Sequence, residues 1–67
     1  MLTSEQLTGA SENTLREHLS DLANTIGRGE EFGDAEVARI TNGMLVSTKE
    51  ARTDYRAIRQ ELRRRFS

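Results

Sequence analysis

His18 is the only histidine in this chain, and Glu17 and Asp21 stand close to it in sequence. A carboxylate beside an imidazole is raw material for general acid–base catalysis, which also needs a held partner and an enclosing pocket. No nucleophile–base constellation accompanies the group, so His18 reads as a surface residue at the edge of a helix face. Glu30, Glu31, Asp34 and Glu36 form a second titratable cluster. They lack the alternating Asp/Asn ligands and the glycine of a calcium loop, and zero cysteines exclude thiolate metal sites. Gly27-Arg28-Gly29 is not followed by the Gly-Lys-Ser/Thr of a phosphate loop. The expectation is a non-enzymatic protein with no catalytic residue, metal, cofactor or small-molecule substrate.

The arginines carry more information. Residues 1–36 hold eight acids and two arginines, a net −6, whereas residues 37–67 hold eight bases and three acids, a net +5. Arg52, Arg56, Arg59 and Arg63 each follow by one position a residue of an apolar series, Ala51, Tyr55, Ile58, Leu62 and Phe66. Glu50, Asp54 and Glu61 precede it by one. An apolar seam edged by arginine on one side and acid on the other is the layout of a helix-pairing surface. Like charges at i,i+4, as in Arg52/Arg56 and Arg59/Arg63, oppose the helix by a few tenths of a kcal/mol, so the arginine edge favours anions opposite it. Aromatic and arginine side chains dominate interface energetics. Arg52, Tyr55, Arg56, Arg59, Leu62, Arg63 and Phe66 are therefore the expected partner-binding residues. Charge further predicts that pairing through this seam is parallel or heterotypic, because an antiparallel homodimer would set arginine against arginine.

These side chains need helices to position them. Ser11 is placed to cap a helix from Glu12, with Leu15, Leu19, Leu22 and Ile26 on one face, and Gly27 is placed to end it. Thr3 and Gln6 have capping-box spacing for a short turn before it, as do Ser47 and Glu50 for the last helix, with Val46 and Ala51 at staple positions. Asp34 reads as the N-cap of a middle helix. Apolar positions 37, 40, 44, 51, 55, 58, 62 and 66 stay nearly in phase, which favours one long helix of roughly 30 residues, about 45 Å at 1.5 Å per residue. Asn42-Gly43, between VARIT and MLVST, is also a type I′ hairpin signal, and helix, broken or continuous, is favoured over it. The expected fold is all-α, a single domain over 1–67 built as a helical hairpin or three-helix arrangement with a long C-terminal amphipathic helix. The alternative is α+β, two helices with a β-hairpin turning at Asn42-Gly43.

Residues 7–22, LTGASENTLREHLSDL, resemble the turn and recognition helix of helix-turn-helix regulators. The turn is followed by Ser, two polar residues, Thr, an apolar residue and a Leu four further on, here Gly9, Ala10, Ser11, Thr14, Leu15 and Leu19. The resemblance implies that Ser11, Glu12, Asn13 and Arg16 would enter the major groove. Glu5 departs from the pattern, standing where a small residue belongs. A second nucleic-acid route is the cluster Arg63, Arg64 and Arg65 beside Phe66, where phosphate contact and base stacking could combine. Against both stands the net −6 of the first half, since DNA affinity rests largely on Lys and Arg at phosphates.

Sixty-seven residues support one domain with a thin core. Without cysteines, oligomerisation or partner binding is the remaining support. No apolar run approaches the ~20 residues of a membrane span, and MLTSEQLTGASE has neither the basic start nor the apolar core of a signal peptide, so a cytoplasmic protein is expected. The favoured reading is a small binding protein that self-associates or docks on a partner protein to inhibit, adapt or assemble it. By fold-level analogy such chains are frequent in phages and mobile elements. A nucleic-acid-binding regulator and a structural component of a virion or other assembly are the alternatives.

Overall fold

The computed structural model describes residues 2–66, which form four helices and no strand among the described residues: α1 (Ser4–Gly9), α2 (Glu12–Phe32), α3 (Asp34–Ile40) and α4 (Thr48–Phe66). The helix starts follow local chemistry. The Gln6 N–H donates to Thr3 Oγ1 at 3.1 Å, and the Thr3 N–H donates to Gln6 Oε1 at 2.9 Å, so the capping box closes at α1. Ser11 Oγ accepts the Thr14 N–H at 3.1 Å and starts α2. Ser47 Oγ accepts the Glu50 N–H at 3.2 Å ahead of α4, while the Glu50 carboxylate accepts the Val46 N–H at 2.9 Å. Val46 itself is 59% exposed and staples nothing tightly to Ala51.

The expected stop at Gly27 does not occur. α2 runs on through Gly27 and Gly29 to Phe32 and ends at Gly33, whose φ of 91° is in glycine territory and whose N–H donates to the Gly29 carbonyl at 2.8 Å. Each interior glycine costs up to about 1 kcal/mol against alanine. At Gly29 packing offsets that cost. A Cβ there would lie 2.7 Å from Val37 Cγ2 and would also overlap the Thr48 hydroxyl. The missing side chain lets α3 and the start of α4 press against α2.

The single long helix from 34 to 66 is also overturned, and so is the hairpin. α3 ends in a Schellman closure. The Gly43 N–H reaches the Ala38 carbonyl at 2.8 Å and the Asn42 N–H the Arg39 carbonyl at 3.3 Å, with φ of 53° at Asn42 and 79° at Gly43. A type I′ turn needs positive φ at the same two residues, which is why the dipeptide signals both. Thr41 Oγ1 then donates to the Val37 carbonyl at 2.7 Å and accepts the Leu45 N–H at 3.1 Å, turning Leu45 into the core. Asp34 does not cap its own helix, whose N-cap is Gly33 with no side-chain bond. Its carboxylate instead accepts the Thr48 N–H at 2.9 Å and caps α4.

α2 and α4 lie antiparallel. Glu30 near the end of α2 pairs with Arg52 near the start of α4, and Leu19 shares a groove with Leu62 at the other end. α3 packs on α2, and α1 packs on α4. The core is Leu15, Leu22, Val37, Leu45, Ala51 and Ile58, edged by Leu2, Leu7, Leu19, Ile26, Tyr55 and Leu62.

The inward face of α4 differs from the apolar series. It comprises Ala51, Asp54, Ile58 and Glu61, while Tyr55 and Leu62 are half-buried and Phe66 is 62% exposed. The two acids expected at the rim are turned inward because α1 lies on that side and brings polar backbone with it. Asp54 Oδ1 accepts the Leu2 N–H at 3.2 Å. Glu61 Oε2 accepts from Arg65 Nε at 2.7 Å, and Arg65 Nη2 donates to the carbonyls of Leu7 at 2.9 Å and Thr8 at 3.2 Å. Asp54 thus ties the segment before α1 to α4, and Arg65, braced by Glu61, ties the end of α1 to it.

Candidate functional site

Turning α4 toward its acidic edge leaves its other edge open. Leu62 and Phe66 line a groove of about 390 Å³ with Leu19 of α2, and Arg16, Arg59 and Arg63 stand around them. Tyr55 lies one turn before Arg59, whose guanidinium sits 5.8 Å from the ring centroid, within cation–π range. Antiparallel packing brings the start of α2 beside the end of α4, so residues 47 positions apart in sequence meet in one surface.

The arginines divide into two groups. Glu61 is bound by Arg64 at 2.6 Å and Arg65 at 2.7 Å. Hydrogen bonds from Arg64 and then Arg65 outweigh its burial and hold its carboxyl at about pKa 2. Glu36 is held at about 2 in the same way by Arg39 and then Arg28. Arg16 pairs with Glu12 at 2.9 Å. Arg56, Arg59 and Arg63 have no carboxylate partner among the described residues. The three unpaired guanidiniums follow one another along the open edge of α4.

Of the residues expected to bind a partner, Arg59, Leu62, Arg63 and Phe66 line the groove, and Tyr55 and Arg56 adjoin it on α4. Arg52 is apart, engaged with Glu30 near the opposite end. Arg16 and Leu19 belong to this surface although the sequence assigned Arg16 to a nucleic-acid role and Leu19 to the core. The available signal was the width of the α2 apolar face: Leu15 and Leu22 are buried, whereas Leu19 and Ile26 are only half-buried and lie together on one margin of it.

The nucleic-acid set is dispersed in its commitments. The Ser11 hydroxyl is the α2 cap and Glu12 holds Arg16, while Asn13 is exposed. Arg64 is bound to Glu61, and Arg65 to Glu61 and α1. α1, the helix preceding the resembling turn, packs on α4.

A second cleft, about 490 Å³, lies between α1, α2 and the α3–α4 turn, and His18, Asp21 and Asp54 are among its lining residues. The Asp54 carboxylate serves the Leu2 N–H. The acids weighed as cation ligands are dispersed: Glu30 serves Arg52, Asp34 serves Thr48, Glu36 serves Arg28 and Arg39, and Glu31 is exposed. Among the described residues no three His, Cys, Asp or Glu side chains gather to hold a metal ion, and no helix is long and apolar enough to cross a membrane. No protein-family model matches the chain, and neither a curated protein nor a solved structure does.

Proposed function

We propose that this chain is a non-enzymatic interaction module that binds an acidic, apolar-tipped protein segment in the α2/α4 groove, and so inhibits, adapts or assembles the protein that bears it. The observation that carries this reading is the pairing of exposed apolar surface with uncompensated positive charge. Leu19, Leu62 and Phe66 form the floor, and Arg59 and Arg63 at the rim have no carboxylate partner among the described residues. An apolar floor gives affinity through burial, at about 25 cal/mol per Å² before the cost of association. The rim charges set partner choice and encounter rate.

The test is affinity capture from nuclease-treated lysate of the native host, in parallel with Phe66→Asp. That side chain is exposed, so the variant keeps the fold. A stoichiometric protein retained by the native chain and lost from the variant supports the reading. Binding that appears only when nuclease is omitted, and that weakens steeply between 50 and 200 mM salt, replaces it with the nucleic-acid reading. The observation favouring that second reading is the proximity of Arg16 to Arg63 at the same end of the molecule.

A further inference from the structure

The chain has two phenylalanines, and neither is in the core. Phe32 is 56% exposed and Phe66 62% exposed. They are the last residues of α2 and α4. Because those helices are antiparallel, the two rings stand at opposite ends of a molecule 35 Å long. No single copy can bring them together.

The two ends differ in the charge they leave uncompensated. Residues 59–66, around Phe66, hold four arginines against one glutamate, and Arg59 and Arg63 have no ion pair among the described residues. Residues 30–36, around Phe32, hold four acids; Glu30 is paired with Arg52, Glu36 with Arg28 and Arg39, and Asp34 accepts the Thr48 N–H. Glu31 is exposed and has no ion pair among the described residues, and the Arg28 guanidinium stacks 5.2 Å from the Phe32 centroid. One end therefore presents an exposed ring beside a free carboxylate. The other presents an apolar groove rimmed by Arg59 and Arg63. Each offers what the other lacks.

We infer that the groove binds the Phe32 end of a second copy, joining molecules head to tail. Phe32 enters between Leu19, Leu62 and Phe66, and Glu31 meets the free guanidiniums of Arg59 and Arg63. This deepens the proposed function by naming the occupant of the groove. The contact is heterologous, so each added copy leaves one open end and growth continues until a ring closes or a filament forms. It also agrees with the charge rule along α4, since no arginine edge faces another. The outward face of α2 is a poorer occupant. Glu17 and Asp21 there are exposed, but their neighbours Ser20 and Asn24 supply no apolar side chain to fill the groove.

The experiment is sedimentation velocity of the native chain from 10 µM to about 1 mM, with Phe32→Asp and Phe66→Asp as variants and circular dichroism to verify their helix content. The native chain is expected to exceed the 7.6 kDa monomer mass progressively with concentration, beyond a dimer. Each variant alone loses one end and remains a monomer. An equimolar mixture of the two combines an intact groove with an intact Phe32 end and forms a 1:1 dimer that grows no further. Raising salt weakens both assemblies. A native chain that stays monomeric at 1 mM overturns the inference, as does a mixture that stays monomeric or a single variant that dimerises. If the native chain is monomeric yet captures a foreign acidic protein through Phe66, the self-assembly inference fails while the proposed function stands.

Discussion

Gly27 and Gly29 provide an internal comparison for the packing of α2. Both lie inside the helix, so replacing either by alanine gains the same intrinsic helix propensity, about 1 kcal/mol. Their surroundings differ. A Cβ on Gly27 meets nothing within 4 Å, whereas one on Gly29 lies 2.7 Å from Val37 Cγ2 and 3.2 Å from Thr48 Cβ. Carbon atoms prefer about 3.5–4.0 Å, so Val37, which has 0% exposure, must retreat by nearly 1 Å. Overpacking of this kind costs about 1–3 kcal/mol. Gly27→Ala should therefore stabilise the protein by up to about 1 kcal/mol, raising Tm by about 4–8 °C for each kcal/mol in a domain this small. Gly29→Ala should lie about 1–3 kcal/mol below it, because the propensity gain cancels in the comparison. Urea and thermal unfolding followed by circular dichroism would measure both, with equal m-values confirming a common unfolded reference. Equal stabilisation by the two alanines would refute the close approach of α3 and α4 to Gly29. Destabilisation by Gly27→Ala would refute the continuous helix and return Gly27 to a left-handed cap, where alanine costs about 1–2 kcal/mol.

Two further outcomes follow from the charge arrangement. Glu36 and Glu61 have carboxyls lowered from 4.5 to about 2 by their arginine partners. In that window the unfolded chain binds more protons than the folded one, so stability rises with pH. Their contribution is complete above about pH 4.5 and is lost as pH falls through about 2; an acid titration of the urea midpoint should show this slope, and Glu61→Gln with Glu36→Gln should flatten it. An undiminished slope in the double variant would contradict the assignment. Replacing Arg59 and Arg63 together by Gln removes no ion pair among the described residues; it relieves an i,i+4 repulsion worth a few tenths of a kcal/mol and loses the Arg59–Tyr55 cation–π contact, about 0.5–1 kcal/mol at an exposed site. Unfolding stability should fall by no more than about 1 kcal/mol while partner association slows and loses its salt dependence; a larger loss of stability would show that these arginines are paired within the fold.

Much of the helical framework is legible in the sequence because it is local. The Thr3–Gln6, Ser11 and Ser47–Glu50 caps join groups three residues apart, and no distant atom is needed to identify them. The leucine face of α2 follows in the same way from periodicity. The alternatives that remained open were those in which one residue type serves two geometries. A glycine can end a helix or admit a neighbour, and Gly29 is marked as the second kind only by Val37 and Thr48, which lie on other helices. Asn42-Gly43 supplies positive φ to a hairpin or to a helix terminus, and docking of Leu45 through Thr41 selects the terminus. Asp54 and Glu61 look like solvent-facing acids until the N-terminal segment brings the Leu2 N–H to Asp54, and α1 brings the Leu7 carbonyl to Arg65, which Glu61 braces. The apolar–arginine series of α4 was readable, but its exposure was not: the edge left open depends on which face α1 covers. Sequence by itself determined helix content, caps and the polarity of charge between the two halves, because backbone hydrogen bonding and side-chain period act over one or two turns. Helical spacing also accounts for the pairs Arg16–Glu12, Arg39–Glu36, Arg64–Glu61 and Arg65–Glu61, whereas tertiary structure alone brought Arg52 to Glu30 and Arg28 to Glu36 and set Arg59 and Arg63 beside Leu19 and Arg16, because contacts between helices depend on distances in space that sequence spacing does not set.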